Sequence, residues 1–214
     1  MFKEMSDKDL FLPKHTALLI IDLQNDYCSK KGKVSKIFKF NVEPIEGIIS
    51  DMKSFLSKAR EKNIQVIWTR MIEDYKNSRV KKNMVNKILS QKNPVRLCIL
   101  GTSGFDYYKL KPEKEDFEVI KSSYDPFTNA QLQKILKKKK IKNLVVMGVY
   151  TSICVESAVR RAFSEGYNVI VPKNLVAMPK EEEVLHNSSI KNMQKCFAYI
   201  INSMEILNAW EKYG

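Results

Sequence analysis

The sequence has 214 residues, of which 44% are hydrophobic, and this is enough for one sizeable core. Its apolar stretches are shorter than the roughly 20 residues of a membrane span, and its first residues lack an apolar signal-peptide core, so we expect a cytoplasmic protein with no membrane partner. The formal net charge of +13 comes mainly from Lys rather than Arg, which argues against nucleic acid as a partner because Arg is the residue of planar phosphate recognition.

The predicted elements alternate along the chain. Apolar runs of strand length are followed by segments of 3.6-residue periodicity, a pattern typical of βαβ units and a parallel sheet. Strands are predicted at 16–22, 64–70, 117–121, 143–149, 167–172 and 197–201, and helices at 43–63, 128–140, 154–166, 180–196 and 203–213. Pro44 suits a first helical turn, Gly166 a C-terminal cap and Ser203 an N-terminal cap.

The segment from 71 to 116 is less regular. Its first half predicts a further helix, whose apolar positions are Val80, Met84, Val85, Ile88 and Leu89. Its second half predicts a long loop, and long loops in compact domains are usually functional. With six strands and intervening helices, residues 1–214 are interpreted as one domain with a three-layer α/β/α, Rossmann-like fold and a six-stranded parallel sheet.

Chemically versatile residues stand at the predicted strand ends. Asp22 ends the first strand, Arg70 the second and Lys121 the third, and Cys154 follows the fourth. Carboxyl ends of parallel strands meet at one edge, where such sheets bind ligands. Each residue has a plainer alternative: Asp as a cap, Lys as a solvated side chain, Cys as core filler. Their convergence favours a site centred on Cys154.

Cys154 has the surroundings of a nucleophile. We expect Lys121 and the N-terminus of the following helix to lower the pKa of its thiol, and Asp22 to serve as general base and acid. A thiol reagent should then label Cys154 before Cys28, Cys98 and Cys196. The four cysteines lack metal-ligand spacing, so free thiols are expected, with no metal and no cofactor.

The chain has only two histidines, His15 and His186. Neither stands at the carboxyl end of a predicted strand, so a Cys–His pair is not expected and both are interpreted as surface residues.

Three blocks of the sequence resemble the isochorismatase-like cysteine hydrolases, a superfamily that includes nicotinamidases, N-carbamoylsarcosine amidase and ureidoacrylate amidohydrolases. They are "IIDLQNDY", the stretch "GTSGFDYYKLKPEKEDFEVIK" with the turn that follows it, and "GVYTSICVESA". The resemblance runs from about residue 15 to 205. It implies the isochorismatase-like hydrolase fold and gives Asp22, Lys121 and Cys154 the catalytic roles.

The resemblance also implies a cis peptide bond before Tyr150, with the Tyr150 and Cys154 amides forming an oxyanion hole. Because Cys154 is present, the resemblance favours hydrolysis of a C–N bond in a small amide or ureido substrate through an acyl-cysteine intermediate. Arg70 is a candidate for a substrate carboxylate, with a structural ion pair as the alternative. Tyr27, Trp68, Phe127 and Tyr150 are candidate pocket walls, with core packing as the alternative.

The chain departs from its relatives in two ways. The histidines of metal-dependent nicotinamidases are missing from the stretches around the first two strands, and an Asp found after the fifth strand is replaced by Asn174. Nicotinamidase-like or isochorismatase-like hydrolysis, a non-catalytic small-molecule-binding relative and a nucleic-acid binder stay open as alternatives. Relatives are commonly dimers or tetramers, so a homo-oligomer is expected.

Overall fold

A computed structural model describes residues 6–72 and 96–213. Its strands are β1 (Thr16–Ile21), β2 (Gln65–Met71), β3 (Phe117–Lys121), β4 (Asn143–Val149), β5 (Asn168–Pro172), β6 (Val176–Ala177) and β7 (Tyr199–Ile201). Its α-helices are α1 (Asp7–Phe11), α2 (Asn25–Cys28), α3 (Lys33–Phe38), α4 (Glu43–Glu61), α5 (Ala130–Lys138), α6 (Glu156–Ser164), α7 (Glu183–Cys196) and α8 (Ser203–Tyr213). The helix predicted around Val80–Leu89 lies outside the described residues.

The strands form one parallel sheet in the order β3-β2-β1-β4-β5-β7, and β6 pairs with the end of β4. The described sheet therefore has seven strands rather than the predicted six. The sequence pattern missed β6 because two residues are too few to show any periodicity. No helix among the described residues has the length and apolar character needed to cross a bilayer.

Helices cover both faces of the sheet, which explains the unbroken apolar run of β1. Leu18 and Ile20 point into one core with α4 and α8, whereas Leu19 and Ile21 point into a second core with α5, α6 and α7. Successive side chains of a strand point to opposite faces. The structure thus confirms the predicted three-layer α/β/α architecture.

Two predicted helix boundaries are confirmed and one is corrected. Pro44 lies in the first turn of α4, and Gly166 follows α6 with a φ of +86°. The cap of α8 is Asn202 rather than Ser203, because the Asn202 side chain accepts from the Met204 amide while Glu205 accepts from the Asn202 amide. Asn174 and Ser203 exchange two hydrogen bonds of 2.9 Å, which tie the segment after β5 to α8.

Gly148 lets β4 approach β1 closely. A Cβ atom at this position would lie 2.3 Å from the Ile21 carbonyl oxygen, and the φ of +139° is one that other residues rarely adopt. Gly148 pairs with Ile21, the last residue of β1. The glycine therefore sets the distance between the two strand ends that carry Asp22 and the turn of Cys154.

Candidate active site

Asp22 and Lys121 form a buried ion pair at the carboxyl edge of the sheet. The Lys121 Nζ lies 2.7 Å from Asp22 Oδ2, and their side chains are 0% and 1% exposed. Thr69 Oγ1 donates to the other carboxylate oxygen at 2.8 Å. The Lys121 ammonium also donates to the carbonyls of Ser123 and Tyr124 at 3.2 and 3.3 Å. Both charges are thus fixed in position, which suits a site that must present them in one geometry.

The backbone around Asp22 is held as firmly as its side chain. Asp22 has a φ of +54°, a left-handed conformation that Asp tolerates better than most residues. The buried Gln24 side chain accepts from the Met71 amide at 2.7 Å and donates to the carbonyls of Met71 and Phe105. This clamp joins the ends of β1 and β2 to the loop before β3.

Three residues that shape the site were not among the predicted site residues: Thr69, Gln24 and Asp26, of which the last two lie in the block "IIDLQNDY" that carries the resemblance. Thr69 lies one residue before the predicted end of the second strand, whereas the site candidate on this strand is Arg70. The Asp26 carboxylate accepts from the Cys98 and Lys33 amides, at 2.8 and 3.2 Å. Gly104 packs against this carboxylate so closely that a Cβ atom would overlap it. Gln24 and Asp26 hold the backbone, and Thr69 holds the Asp22 carboxylate. Which groups need these partners is visible only in the folded chain.

Cys154 lies in a five-residue π-helical turn, Thr151–Val155, which we call the cysteine turn. The turn follows β4 and leads directly into α6, as the sequence predicts for a strand-to-helix junction. Cys154 is only 5% exposed. Single π-helical turns are rare and frequent at functional sites.

The predicted cis peptide bond before Tyr150 is wrong for this structure, since the described residues contain no cis bond. The chain turns instead through a left-handed Tyr150, with φ of 61° and ψ of 62°. The Tyr150 amide donates to the Ala177 carbonyl at 2.9 Å. Because β6 takes up this amide, it is already engaged and does not point to an oxyanion in this conformation.

The protonation state expected for Cys154 is also corrected. Burial raises the pKa of the Cys154 thiol above its ordinary value; Lys121 lowers it and Asp22 raises it, but neither offsets the burial. Burial alone would lower the pKa of Lys121, yet the Asp22 carboxylate and Cys154 together raise it. The raised pKa therefore favours a neutral Cys154 thiol beside the ion pair over a preformed thiolate.

The structure places Asp22, Lys121 and Cys154 at the same carboxyl edge of the sheet, and their catalytic roles stay a prediction. β1 and β4 are neighbours in the middle of the sheet, where the strand order reverses, and ligands of such sheets bind at this switch point. The charges of Asp22 and Lys121 both affect the pKa of the Cys154 thiol, in opposite directions. The arrangement can move a proton between sulfur and carboxylate while an ammonium holds the charge.

Arg70 is occupied by structural partners. Its Nη2 lies 2.9 Å from Glu118 Oε2, and its guanidinium stacks over the rings of Phe105 and Tyr107 at 4.3 and 4.7 Å. Tyr107 Oη donates to the same Glu118 oxygen at 2.9 Å. The structure therefore favours the ion-pair alternative for Arg70 over a free carboxylate receptor.

The aromatic candidates separate into two groups. Tyr27 and Tyr150 contact each other with ring centroids 5.0 Å apart, next to the cysteine turn. Trp68 is fully buried, and its indole nitrogen donates to Asp116 at 2.9 Å, at the amino end of β3 and away from the site edge. Phe127 packs in the core with Tyr167. Tyr27 and Tyr150 pack together at the edge of the core, and their role as pocket walls stays a prediction, whereas Trp68 and Phe127 are core residues.

The two histidines are partly exposed, and each also makes a hydrogen bond that the sequence did not predict. His15 Nδ1 donates to the Lys140 carbonyl at 3.1 Å, at the amino end of the sheet. His186 Nδ1 lies 2.9 Å from Thr151 Oγ1, inside the cysteine turn. The sequence could not show this contact, because it joins residues 35 positions apart.

A cavity of about 580 Å³ lies beside the cysteine turn. It is lined by the start of α4, the segment 173–180 and the first turn of α7, including Met178 and His186. Asp22, Lys121 and Cys154 do not line it. The cavity therefore does not mark the candidate reaction centre, which is identified by the chemical groups of these three side chains.

The chain belongs to the isochorismatase family, since the isochorismatase domain model matches residues 16–205. Among curated proteins it is 25% identical over 210 residues to the ureidoacrylate amidohydrolase RutB of Enterobacter sp. (strain 638), covering 93% of this chain and 90% of that protein. It is 28% identical over 199 residues to the ureidoacrylate amidohydrolase RutB of Caulobacter segnis, covering 88% and 82%.

Solved structures share the fold. A cysteine hydrolase from Pseudomonas syringae pv. phaseolicola superposes with a TM-score of 0.78 at 20% identity, covering 96% of each chain. The N-carbamoylsarcosine amidase of Thermoplasma acidophilum gives a TM-score of 0.69 at 18% identity, covering 88% of this chain and 96% of that one.

The pyrazinamidase of Pyrococcus horikoshii, in complex with zinc, gives a TM-score of 0.72 at 21% identity, covering 88% of this chain and 99% of that one. Within residues 6–72 and 96–213 of the present chain, no group of three or more His, Cys, Asp or Glu side chains could hold a metal ion.

Proposed function

We propose that the protein is a cysteine-dependent amidohydrolase that cleaves a C–N bond of a small amide or ureido substrate. The observation that carries the proposal is the buried Asp22–Lys121 ion pair beside the Cys154 thiol. The curated relatives named above are ureidoacrylate amidohydrolases, which supports a ureido or amide substrate. A buried ion pair of this kind costs free energy to desolvate, and an enzyme gains from it when the charges do chemistry.

The reaction begins with proton transfer from the neutral Cys154 thiol to Asp22. The sulfur attacks the substrate carbonyl carbon, forming the C–S bond while the carbonyl electrons move to oxygen. Lys121 stabilises the negative charge that passes between Asp22 and the sulfur. We propose the Cys154 amide, at the start of the helical segment, as an oxyanion donor. Asp22 then returns its proton to the leaving nitrogen as the C–N bond breaks.

Water completes the cycle. Asp22 takes a proton from a water molecule, the hydroxide attacks the acyl carbon, and the C–S bond breaks to release the acid. The sulfur regains its proton from Asp22, so the thiol and carboxylate return to their resting states. No proton acceptor besides Asp22 is required.

The test is a panel of small amides and ureido acids assayed by ammonia release, with nicotinamide included with and without added zinc. We expect release from at least one compound and a loss of 10³-fold or more, an order-of-magnitude figure for a covalent nucleophile, in Cys154→Ala. Cys196→Ala is the matched control, because Cys196 is an exposed thiol at the last residue of α7. Turnover that survives Cys154→Ala would reject the mechanism.

A non-catalytic binding relative is the second candidate. One observation favours it: the pKa of the Cys154 thiol is raised, so the resting sulfur is a poor nucleophile until its proton is taken. The same panel decides between the two, since a binding protein would be stabilised against thermal unfolding by a compound that it does not hydrolyse.

A further inference from the structure

His186 of α7 reaches the turn that carries the candidate nucleophile. Its Nδ1 lies 2.9 Å from Oγ1 of Thr151, three residues before Cys154. Thr151 is fully buried, so its hydroxyl cannot exchange this partner for bulk water. A buried hydroxyl that loses its partner is costly, and the contact is therefore a fixed part of the turn.

His186 is the first of three polar residues on one face of α7. Ser189 donates to the Glu156 carboxylate and, at 3.4 Å, to the Thr151 carbonyl, and Asn192 donates to Glu156 Oε1 at 2.7 Å. Positions three apart lie on the same side of a helix. The face thus contacts Thr151, which opens the cysteine turn, and Glu156, which follows it. The turn is held at both ends by a helix remote in sequence.

We propose that His186 is a positioning residue, which fixes the cysteine turn through Thr151 only while its imidazole is neutral. We assign the neutral ring the tautomer with its proton on Nε2, so that Nδ1 accepts from the Thr151 hydroxyl. The imidazolium has donors at both nitrogens, so Thr151 Oγ1 must accept and its own proton must find a different acceptor. Protonation therefore reverses the hydrogen bond that holds the turn.

The surroundings set the pH at which this happens. Burial lowers the pKa of His186, and Glu183 on the same helix only partly offsets this, so the change falls below the ordinary histidine range near pH 6.5. His186 also borders the cavity, which gives protons a path to it. The other charged groups that line this cavity or the α6–α7 contact are Glu43 of α4, Lys173 and Lys180 of the segment before α7, and Glu156 and Arg160 of α6.

The variants separate positioning from packing. His186→Ala removes the acceptor, and His186→Asn keeps one, because the Asn Oδ1 stands near the position of Nδ1 and does not titrate. Thr151→Val removes the hydroxyl at nearly constant volume. His15→Asn is the matched control, since His15 bonds a carbonyl at the opposite edge of the sheet.

The first readout does not depend on turnover. Amide hydrogen exchange of peptides covering 150–156 should be faster in His186→Ala and Thr151→Val than in the wild type, and unchanged in His186→Asn and His15→Asn. The double variant His186→Ala/Thr151→Val should equal the single ones, because both remove the same bond. Equal exchange in His186→Ala and the wild type would overturn the proposal.

The second readout rests on the proposed function and uses the compound that the ammonia assay identifies. We expect His186→Ala to lower kcat on the order of 10 to 100-fold with KM little changed, as for a misplaced reacting group. His186→Asn should keep kcat near neutral pH and lose the decline that the wild type shows below the ordinary histidine range. An unchanged decline in His186→Asn would contradict the pH claim. Absent turnover in the wild type, together with altered exchange, would reject the amidohydrolase and retain the positioning role.

Discussion

In the proposed mechanism the Asp22–Lys121 pair carries the charge, because each of these buried side chains neutralises the other. Both side chains are buried; Thr69 donates to one carboxylate oxygen of Asp22, and Lys121 donates to two backbone carbonyls. A buried ion pair is seldom a net source of stability, because desolvation offsets the attraction. Its presence beside a thiol is therefore better explained by function than by folding.

Removing one partner of the pair should destabilise the protein more than removing both. We expect Lys121→Met to lower the free energy of unfolding by about 3–5 kcal/mol, because it leaves the Asp22 carboxylate buried and unpaired. The double variant Asp22→Asn/Lys121→Met should recover much of this loss. Urea denaturation at pH 7 measures all three proteins. A double variant as unstable as Lys121→Met would contradict this view of the pair.

The pair also predicts a pH dependence. The pKa of Lys121 is raised in the folded state, so its contribution is complete below the pKa of an unfolded lysine, about 10.4, and is lost as pH rises through the higher folded value. The stability difference between the wild type and Lys121→Met should therefore be constant from pH 7 to 9 and shrink only above about pH 10. A difference that shrinks between pH 7 and 9 would contradict the raised pKa.

The structure predicts an order of thiol labelling opposite to the one expected from the sequence. Cys196 is exposed, whereas Cys28, Cys98 and Cys154 are buried, and the pKa of Cys154 is raised. Iodoacetamide at pH 7 should label Cys196 first, and labelling of Cys154 should accelerate with pH as its thiolate forms. Peptide mass spectrometry reads the order. Labelling of Cys154 ahead of Cys196 at pH 7 would show that the thiolate is already present.

At the scale of elements, the distance between β1 and β4 depends on one glycine. Gly148→Ala would place a methyl group against the Ile21 backbone and strain a positive φ. We expect a loss of at least about 2 kcal/mol in the free energy of unfolding. Gly47→Ala is the matched control, because Gly47 lies within α4 and nothing stands within 4 Å of a Cβ atom at this position. It should stabilise the protein by about 0.5–1 kcal/mol. Equal effects of the two substitutions would contradict the close strand approach.

The elements that the sequence predicted best are those with a strong local hydrophobic signal. β1 and β4 are buried on both faces and stand out as unbroken apolar runs, and their ends placed Asp22 and Cys154 correctly. The structure differs where contacts are distant in sequence. The link from His186 to Thr151 and the engagement of the Tyr150 amide by β6 depend on tertiary packing, and a two-residue strand leaves no pattern. The raised pKa of Cys154 likewise follows from burial, which charge spacing alone does not reveal.

At the scale of the whole molecule, we propose a homo-oligomer, a dimer or tetramer. Several large apolar side chains of α7 and α8 are solvent-exposed in the single chain, among them Val184, Leu185 and Met204. Sedimentation equilibrium should give two or four times the mass of one chain, 24.9 kDa. A mass of one chain at micromolar concentration would contradict the proposal.

The central claim, that Cys154 forms a covalent bond to the substrate carbonyl, is tested most directly on the intact protein. A hydrolysed compound from the panel is mixed with the enzyme, quenched in acid within the first turnover and analysed by intact-protein and peptide mass spectrometry. The mechanism predicts an acyl adduct on the peptide that contains Cys154, which appears before the product acid and decays with it. Turnover without any adduct, or an adduct on a different cysteine, would contradict it.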